Sequence, residues 1–222
     1  MISTTGRHIP IQDEEFGYFE SPDGDSKTII IKKFSYDLLG FIYKTSDEIL
    51  DKNNARIYSS FFHTVLKELV QNAVKATYKR IYYQLNKYDL NTDNSEIKEK
   101  FKESYPQFIS SFIEVESYYD HLAEVEISRY NKDYILLSVK NECEMISNEK
   151  NAVNFMIERG KQKSHVADLL HDELNSTQKE GGGLGISMII VLLKNLDLPA
   201  ENFSYESKNG FTEFKVVVPI KI

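Results

Sequence analysis

The sequence predicts an α+β sandwich with a mixed or antiparallel β-sheet. Long helical patterns fill the first half of the chain and strand pairs follow in the second, an order typical of this fold class. The 222 residues are 41% hydrophobic and 27% charged, as in globular proteins, and this length favours one domain. We therefore expect an N-terminal arm over residues 1–26 and a single domain over residues 27–222.

The first half contains a predicted strand and two predicted helices. The arm contains two prolines and an acidic turn, which favour an extended segment or a short hairpin. Lys27–Phe34 is rich in isoleucine and predicts a strand. Ser35 is a suitable N-cap for a helix over Tyr36–Leu50, and a longer helix is expected over Ala55–Leu85.

The region 84–121 is expected to be a helical and aromatic insertion. Its first part predicts a charged helix over Ser95–Tyr105, which Pro106 should interrupt. Long aromatic insertions usually serve a function or a partner.

The second half alternates strands and helices. Turn residues at 130–133 and at Asn209-Gly210 predict two hairpins. Gly160 is expected to end a short helix. The predicted elements are strands Ala123–Arg129 and Tyr134–Lys140, helices Asn151–Arg159, Ser164–Leu174 and Leu184–Leu196, and strands Asn202–Ser207 and Phe211–Val218.

Charge and composition exclude several kinds of function. Lysine and arginine number 27 against 34 acidic residues, so the formal net charge is −7. This balance argues against general binding to nucleic acid or anionic membranes, although a small basic pocket for a phosphate is compatible with it. Cys143 is the single cysteine, which excludes an internal disulfide. Without a membrane-length apolar run or an apolar signal sequence, we expect a cytoplasmic protein.

A polar stripe lies on the long predicted helix. Glu68, Asn72, Lys75 and Lys79 recur at a spacing that places them on one helical face. One interpretation is a solvated face with ion pairs between successive turns. The other is a site for a metal-bound phosphate, since an amide oxygen suits magnesium, a carboxylate can polarise water and lysines neutralise phosphate charge.

A glycine-rich segment precedes the last predicted helix. Glu180–Ser187 has the sequence E-G-G-G-L-G-I-S. Glycines that lead directly into a helix expose backbone N–H groups at its positive end, where phosphates bind. A flexible connector is the alternative, but it does not need Gly185 inside the first helical turn.

Together these motifs resemble the GHKL ATPases, which include DNA gyrase, a heat-shock chaperone, histidine kinases and mismatch-repair ATPases. Lys67–Thr77 resembles their N-box and Gly182–Ser187 their second glycine box. Val139–Ile146 lies where the family has V-x-D-N-G-x-G-I, and Asn209–Pro219 resembles its final strand. The resemblance covers roughly residues 59–222. It implies the two-layer GHKL sandwich, with a mixed sheet and helices on one face, and ATP and Mg²⁺ as cofactors.

The resemblance also implies roles for individual residues. Asn72 matches the magnesium ligand and Glu68 the general base. Lys75 matches the basic position that histidine kinases use near the phosphates. Asn141 and Thr212 match the residues beside adenine. The phosphate loop is matched by Gly181, Gly182, Gly183, Leu184 and Gly185, and residues 147–180 correspond to the ATP lid.

Three positions depart from the family pattern. Asn141 replaces the aspartate that binds adenine, so a charge-assisted hydrogen bond is lost. Cys143 and Met145 replace glycines where the backbone approaches the ligand. Two outcomes stay open. The pocket still binds the nucleotide, or it is degenerate and no longer does.

The expected function is a magnesium-dependent ATP-binding domain of a signalling ATPase or protein kinase, with slow or partner-dependent turnover. The alternative is a degenerate GHKL-fold module that binds a protein partner without ATP turnover. In both, the lid and the 84–121 insertion would contact the protein partner. A homodimer is left open, and neither nucleic acid nor a membrane is expected as a partner.

Overall fold

Seven strands form one antiparallel sheet. The structure, a computed structural model, describes residues 7–8, 15–91, 95–110, 118–175 and 184–220. In space the strands follow the order β1-β2-β3-β4-β5-β7-β6. Their bounds are β1 Arg7–His8, β2 Phe16–Glu20, β3 Ser26–Ile31, β4 Ala123–Arg129, β5 Tyr134–Asn141, β6 Phe203–Lys208 and β7 Phe211–Pro219.

The sheet corrects one prediction, because it is antiparallel at every described pairing and not mixed. A long helical crossover allows two neighbouring strands to run parallel but does not require it. The three helices between β3 and β4 return the chain antiparallel, and β5 and β6, also separated by three helices, are not neighbours in the sheet. The other consecutive strands form hairpins, so the α+β class holds while the expected strand directions do not.

Six helices accompany the sheet. Their bounds are α1 Tyr36–Lys52, α2 Ser59–Leu85, α3 Ser95–Ser110, α4 Ser147–Gln162, α5 Val166–Asn175 and α6 Leu184–Asn195. Helix α1 begins where predicted, since the Ser35 hydroxyl accepts from Leu38 N at 3.2 Å. The turn before β7 is also as predicted, with positive φ at Asn209 (53°) and Gly210 (85°).

The core lies between the sheet and the helical layer. Strand side chains such as Ile29, Val125 and Leu137 are fully buried against α1 and α2. Glu124 and Glu126 alternate with these residues and lie on the opposite face. The long helix α2 therefore packs its apolar side on the sheet, which leaves its polar stripe facing away from the core.

Two helices continue past residues that were expected to end them. Pro106 does not interrupt α3, which continues to Ser110. A proline inside a helix costs about 3 kcal/mol, and the packing of Phe101 and Tyr105 on α2 offsets this cost. Gly160 does not end α4 but lies inside it, buried against α6.

Gly160 is where α4 and α6 approach most closely, and its replacement gives a direct test of this packing. A methyl group at Gly160 would lie 2.7 Å from both Ile190 Cβ and Ser187 O. We expect Gly160→Ala to lower the free energy of unfolding by about 2 kcal/mol, because the packed helices cannot yield. Chemical denaturation measures this.

Gly40 provides the matched control. It is an exposed glycine within α1, and a methyl group there meets no atom within 4 Å. Gly40→Ala should stabilise the protein by about 0.5–1 kcal/mol through helix propensity alone. Equal effects of the two substitutions would show that α4 does not pack tightly on α6.

The N-terminal arm and the insertion both contact the domain. Strand β2 pairs with β3 as a hairpin, so residues 16–20 extend the sheet. Within the insertion, the ring of Phe101 lies 5.4 Å from that of Tyr82 on α2, measured between centroids. Among the residues described, no helix combines the length and the apolar character needed to cross a membrane.

Candidate functional site

The two segments that resemble the N-box and the second glycine box are in direct contact. Leu184 begins α6, and Gly185 lies directly beside Glu68 of α2. A methyl group on Gly185 would stand 2.4 Å from Glu68 Oε2 and 3.2 Å from its carboxyl carbon. A side chain at residue 185 would require this carboxylate to move. The other glycines of the loop, Gly181, Gly182 and Gly183, lie outside the described residues.

The polar stripe of α2 does not form the ion-paired face that one interpretation predicted. Glu68, Asn72 and Lys75 are half-buried, and within the described ranges their side chains make no hydrogen bond or ion pair. Only Lys79 has an ionic partner, Glu149 of α4, at 2.8 Å. The first three members thus keep their polar groups available for a ligand.

Lys75 lies in a locally positive environment. Burial lowers its pKa, and the charges of Lys102 and Lys79 lower it further. No carboxylate of the described residues lies within 4.0 Å of its ammonium group. A cation in this setting favours the approach of an anion, which would restore its ordinary pKa.

Asn141 and Thr212 lie opposite each other in β5 and β7, at one end of the sheet. The Asn141 amide nitrogen lies 3.4 Å from Ala73 O and 3.5 Å from Thr77 Oγ1 on α2. A carbonyl oxygen can only accept, so the NH₂ group must face α2. The amide oxygen is therefore the group left to accept a hydrogen bond.

The residues that replace the family glycines are built into the fold. Cys143 is buried, and its Sγ lies 3.6 Å from Thr77 Oγ1. The Thr212 hydroxyl donates to Cys143 O at 2.7 Å, and Met145 N donates to Ser207 Oγ at 2.8 Å. Burial raises the pKa of the Cys143 thiol, so this group is a filler between β5 and α2 and not a reactive thiolate.

Sequence reasoning missed an ionic cluster beside the candidate site. Arg80 is buried, and both of its terminal nitrogens donate to the Glu149 carboxylate. Glu149 also accepts from Lys79 and from Ile146 N, and Arg80 donates to Glu144 O at 3.1 Å. The only sequence signal was a glutamate at the start of α4, which is typical of helix N-termini.

The residues at the site suit a magnesium ion that takes most of its oxygens from bound phosphates and water and few from the protein. The described parts of the chain hold no group of three or more His, Cys, Asp or Glu side chains that could bind a metal. Magnesium usually takes one or two protein oxygens together with substrate phosphates and water. Asn72 can supply such an oxygen, one turn after Glu68 on α2.

Comparisons with known proteins give weak similarities. No family model matches the chain. An uncharacterised protein of Treponema pallidum (strain Nichols) is 25% identical over 187 residues, which are 83% of this chain and 35% of that protein. This chain therefore spans about a third of the length of that relative.

Among solved structures, a chain of the SiaB–SiaC complex from Pseudomonas aeruginosa is similar. The identity is 17% and the TM-score 0.43, with 84% of this chain and 86% of that chain covered. These values do not place the chain in a family.

Proposed function

We propose that the chain is a magnesium-dependent ATP-binding domain of a signalling ATPase or protein kinase. The contact between Gly185 and Glu68 carries this proposal, since it joins two motifs that are distant in sequence. It places the Glu68 carboxylate at the start of α6, and Asn72 and Lys75 follow about one and two turns later on the same face of α2. This combination supports phosphoryl transfer, in which positioning and charge neutralisation supply most of the catalysis.

Each residue has a defined role in this proposal. The Asn72 oxygen would hold magnesium, and Lys75 and the backbone at the start of α6 would hold phosphate oxygens. The bound ion would neutralise phosphate charge. Glu68 would accept the proton of the attacking water or hydroxyl. Asn141 would accept from the exocyclic amine of adenine.

A second candidate function is binding of a protein partner without turnover. The buried Cys143 side chain fills space where the family has a glycine, which favours a narrowed pocket. Exposed apolar side chains also lie on the segment that corresponds to the lid, with Phe155 at 63% and Leu174 at 86% exposed. ATP titration separates this function from the first.

Asn72 is the position at which magnesium dependence should originate. We expect wild-type protein to bind ATP more tightly with magnesium than without it. Asn72→Ala should remove most of that difference, about tenfold in affinity, because it deletes the oxygen ligand. Isothermal titration calorimetry with and without magnesium measures both states.

Gln71→Ala is the matched control, because Gln71 carries the same amide on the same helix but lies off the stripe. It should keep the full magnesium effect. An unchanged magnesium effect in Asn72→Ala would place the metal ligand elsewhere. If wild-type protein binds no ATP, the first proposed function is wrong and the second candidate function remains.

A further inference from the structure

The side-chain amide of Asn141 is held in one orientation by helix α2. Its nitrogen lies 3.4 Å from Ala73 O and 3.5 Å from Thr77 Oγ1. A carbonyl oxygen only accepts, so a flipped amide would place two acceptors against each other. The Thr77 hydroxyl lies 2.9 Å from Leu122 O and 3.2 Å from Ala73 O, and these carbonyls take its single proton. Both neighbours of the amide nitrogen therefore accept, and its two protons are used.

The Asn141 oxygen keeps its acceptor capacity. Only 3% of this residue is exposed, and its described hydrogen bonds all start from the nitrogen. In the described parts of the chain, the side-chain atoms that are both enclosed and unpaired are Tyr58 Oη and His121 Nε2. The Asn141 oxygen is not one of them, so it is unpaired but still reachable. A buried amide with one open acceptor is suited to receive an N–H donor from a ligand.

The neighbouring strand adds no open donor. Thr212 lies opposite Asn141 on β7, and its hydroxyl donates to Cys143 O at 2.7 Å. Ser207 Oγ, which lies 2.9 Å from the Thr212 oxygen, accepts from Met145 N. Thr212 has a single proton, and the Cys143 carbonyl takes it. The side chains of Asn141 and Thr212 can thus accept from a ligand but cannot donate to it.

We propose that Thr77 and the Ala73 carbonyl make Asn141 an acceptor only, so that Asn141 selects 6-aminopurines over 6-oxopurines. Adenine presents an exocyclic N–H donor at this position, whereas hypoxanthine and guanine present a carbonyl oxygen. An asparagine that could turn would suit either kind of base, because its amide both donates and accepts. The contacts with α2 remove that choice. This selectivity rests on the proposed function for the nucleotide as ligand.

The affinity ratio of ATP to ITP measures the selectivity, since the two nucleotides share the sugar and the triphosphate. With ITP, two acceptors would face each other and both would stay unpaired. We therefore expect ATP to bind about 10- to 100-fold more tightly than ITP. Asn141→Ala should bring the ratio close to one. Isothermal titration calorimetry of the whole chain with magnesium measures both affinities. Equal binding of ATP and ITP by wild-type protein, or an unchanged ratio in Asn141→Ala, would overturn the proposal.

Thr77 is a positioning residue in this proposal, because it is fully buried and acts through Asn141. Thr77→Val keeps the shape of the side chain and removes the hydroxyl, so one amide proton loses its acceptor. The ratio of ATP to ITP affinity should then fall by about threefold or more. Thr77→Ser keeps the hydroxyl and should keep the ratio. A merely structural role would weaken ATP and ITP equally, and an unchanged ratio in Thr77→Val would exclude Thr77 as the positioning residue. Thermal unfolding of each variant verifies that the fold is kept.

Adenosine and inosine separate this proposal from the proposed function, because they carry no phosphate. Ligand-observed NMR measures their binding to the whole chain. If adenosine binds in preference to inosine through Asn141, while ATP binding shows no magnesium dependence, the base site stands and the proposed function is wrong. If ATP binding depends on magnesium and Asn72, while ATP and ITP bind equally, the proposed function stands and the selectivity is wrong. A protein that binds none of the four ligands would overturn both.

Discussion

Under the proposed function, replacing Gly185 by alanine should reduce phosphoryl transfer about 100-fold while the protein stays folded. The new methyl group would lie 2.4 Å from Glu68 Oε2. That oxygen is the end of a flexible side chain, so the carboxylate can rotate away at small cost in stability. It would then leave the position from which it accepts a proton, and a displacement of about 1 Å costs on the order of 100-fold in rate. Single-turnover release of phosphate from labelled ATP measures the change.

The double mutant makes this prediction specific. If Gly185→Ala acts by displacing Glu68, then Glu68→Gln alone and the two changes together should give the same loss. Gly40→Ala, in an exposed part of α1, is the control for a glycine change without a contact. Losses that multiply in the double mutant would mean that Gly185 and Glu68 act independently. Full activity of Glu68→Gln would exclude it as the base.

Local signals in the sequence predicted most elements of the fold. Hairpins and helix starts are set by adjacent residues, such as Asn209-Gly210 and Ser35. The helix ends predicted at Gly160 and Pro106 were wrong, because the effects of these residues depend on tertiary contacts. Glycine at 160 serves a close approach to α6, and the helix around Pro106 is held by rings that pack on α2. The predicted strand direction was wrong because it depends on how the helices between successive strands return the chain to the sheet.

The candidate site could likewise be predicted from the sequence only in part. The stripe of α2 follows from helical periodicity, and Glu68 and Gly185, which the resemblance had grouped, are in contact. Arg80 and Glu149 escaped notice, because a pair of opposite charges 69 residues apart has no pattern in the sequence.

Loss of the Glu149 charge should destabilise the fold by about 3 kcal/mol. Arg80 is buried, and without Glu149 its guanidinium would keep only the Glu144 carbonyl as a described partner. Breaking a buried ion pair by removing one partner costs about 3–5 kcal/mol, because the other charge stays unpaired. Glu149→Gln keeps the size of the side chain and removes its charge. Urea denaturation at neutral pH measures the difference.

Glu158→Gln is the control on the same helix. Glu158 pairs with Lys161 at 2.9 Å on the exposed side of α4, with 62% of its side chain accessible. Exposed pairs contribute about 0–1 kcal/mol, so this variant should be close to wild type. A similar loss in both variants would show a general charge effect on α4. No loss in Glu149→Gln would show that the cluster with Arg80 does not stabilise the fold.

Acid unfolding gives an independent measure of the same cluster. Burial opposes ionisation of Glu149, but hydrogen bonds and charge from Arg80 and Lys79 lower its pKa from 4.5 to about 2. A carboxyl group whose pKa is lower in the folded state stabilises the protein above its unfolded pKa. That stability, about 3 kcal/mol, is lost as the pH falls from about 4.5 towards 2. Wild-type protein should therefore lose stability across this range, and Glu149→Gln should show a shallower loss. Parallel acid profiles of the two proteins would mean that Glu149 titrates near its ordinary pKa. In that case the ionic cluster would hold neither the start of α4 nor the loop of Cys143 and Met145 against α2.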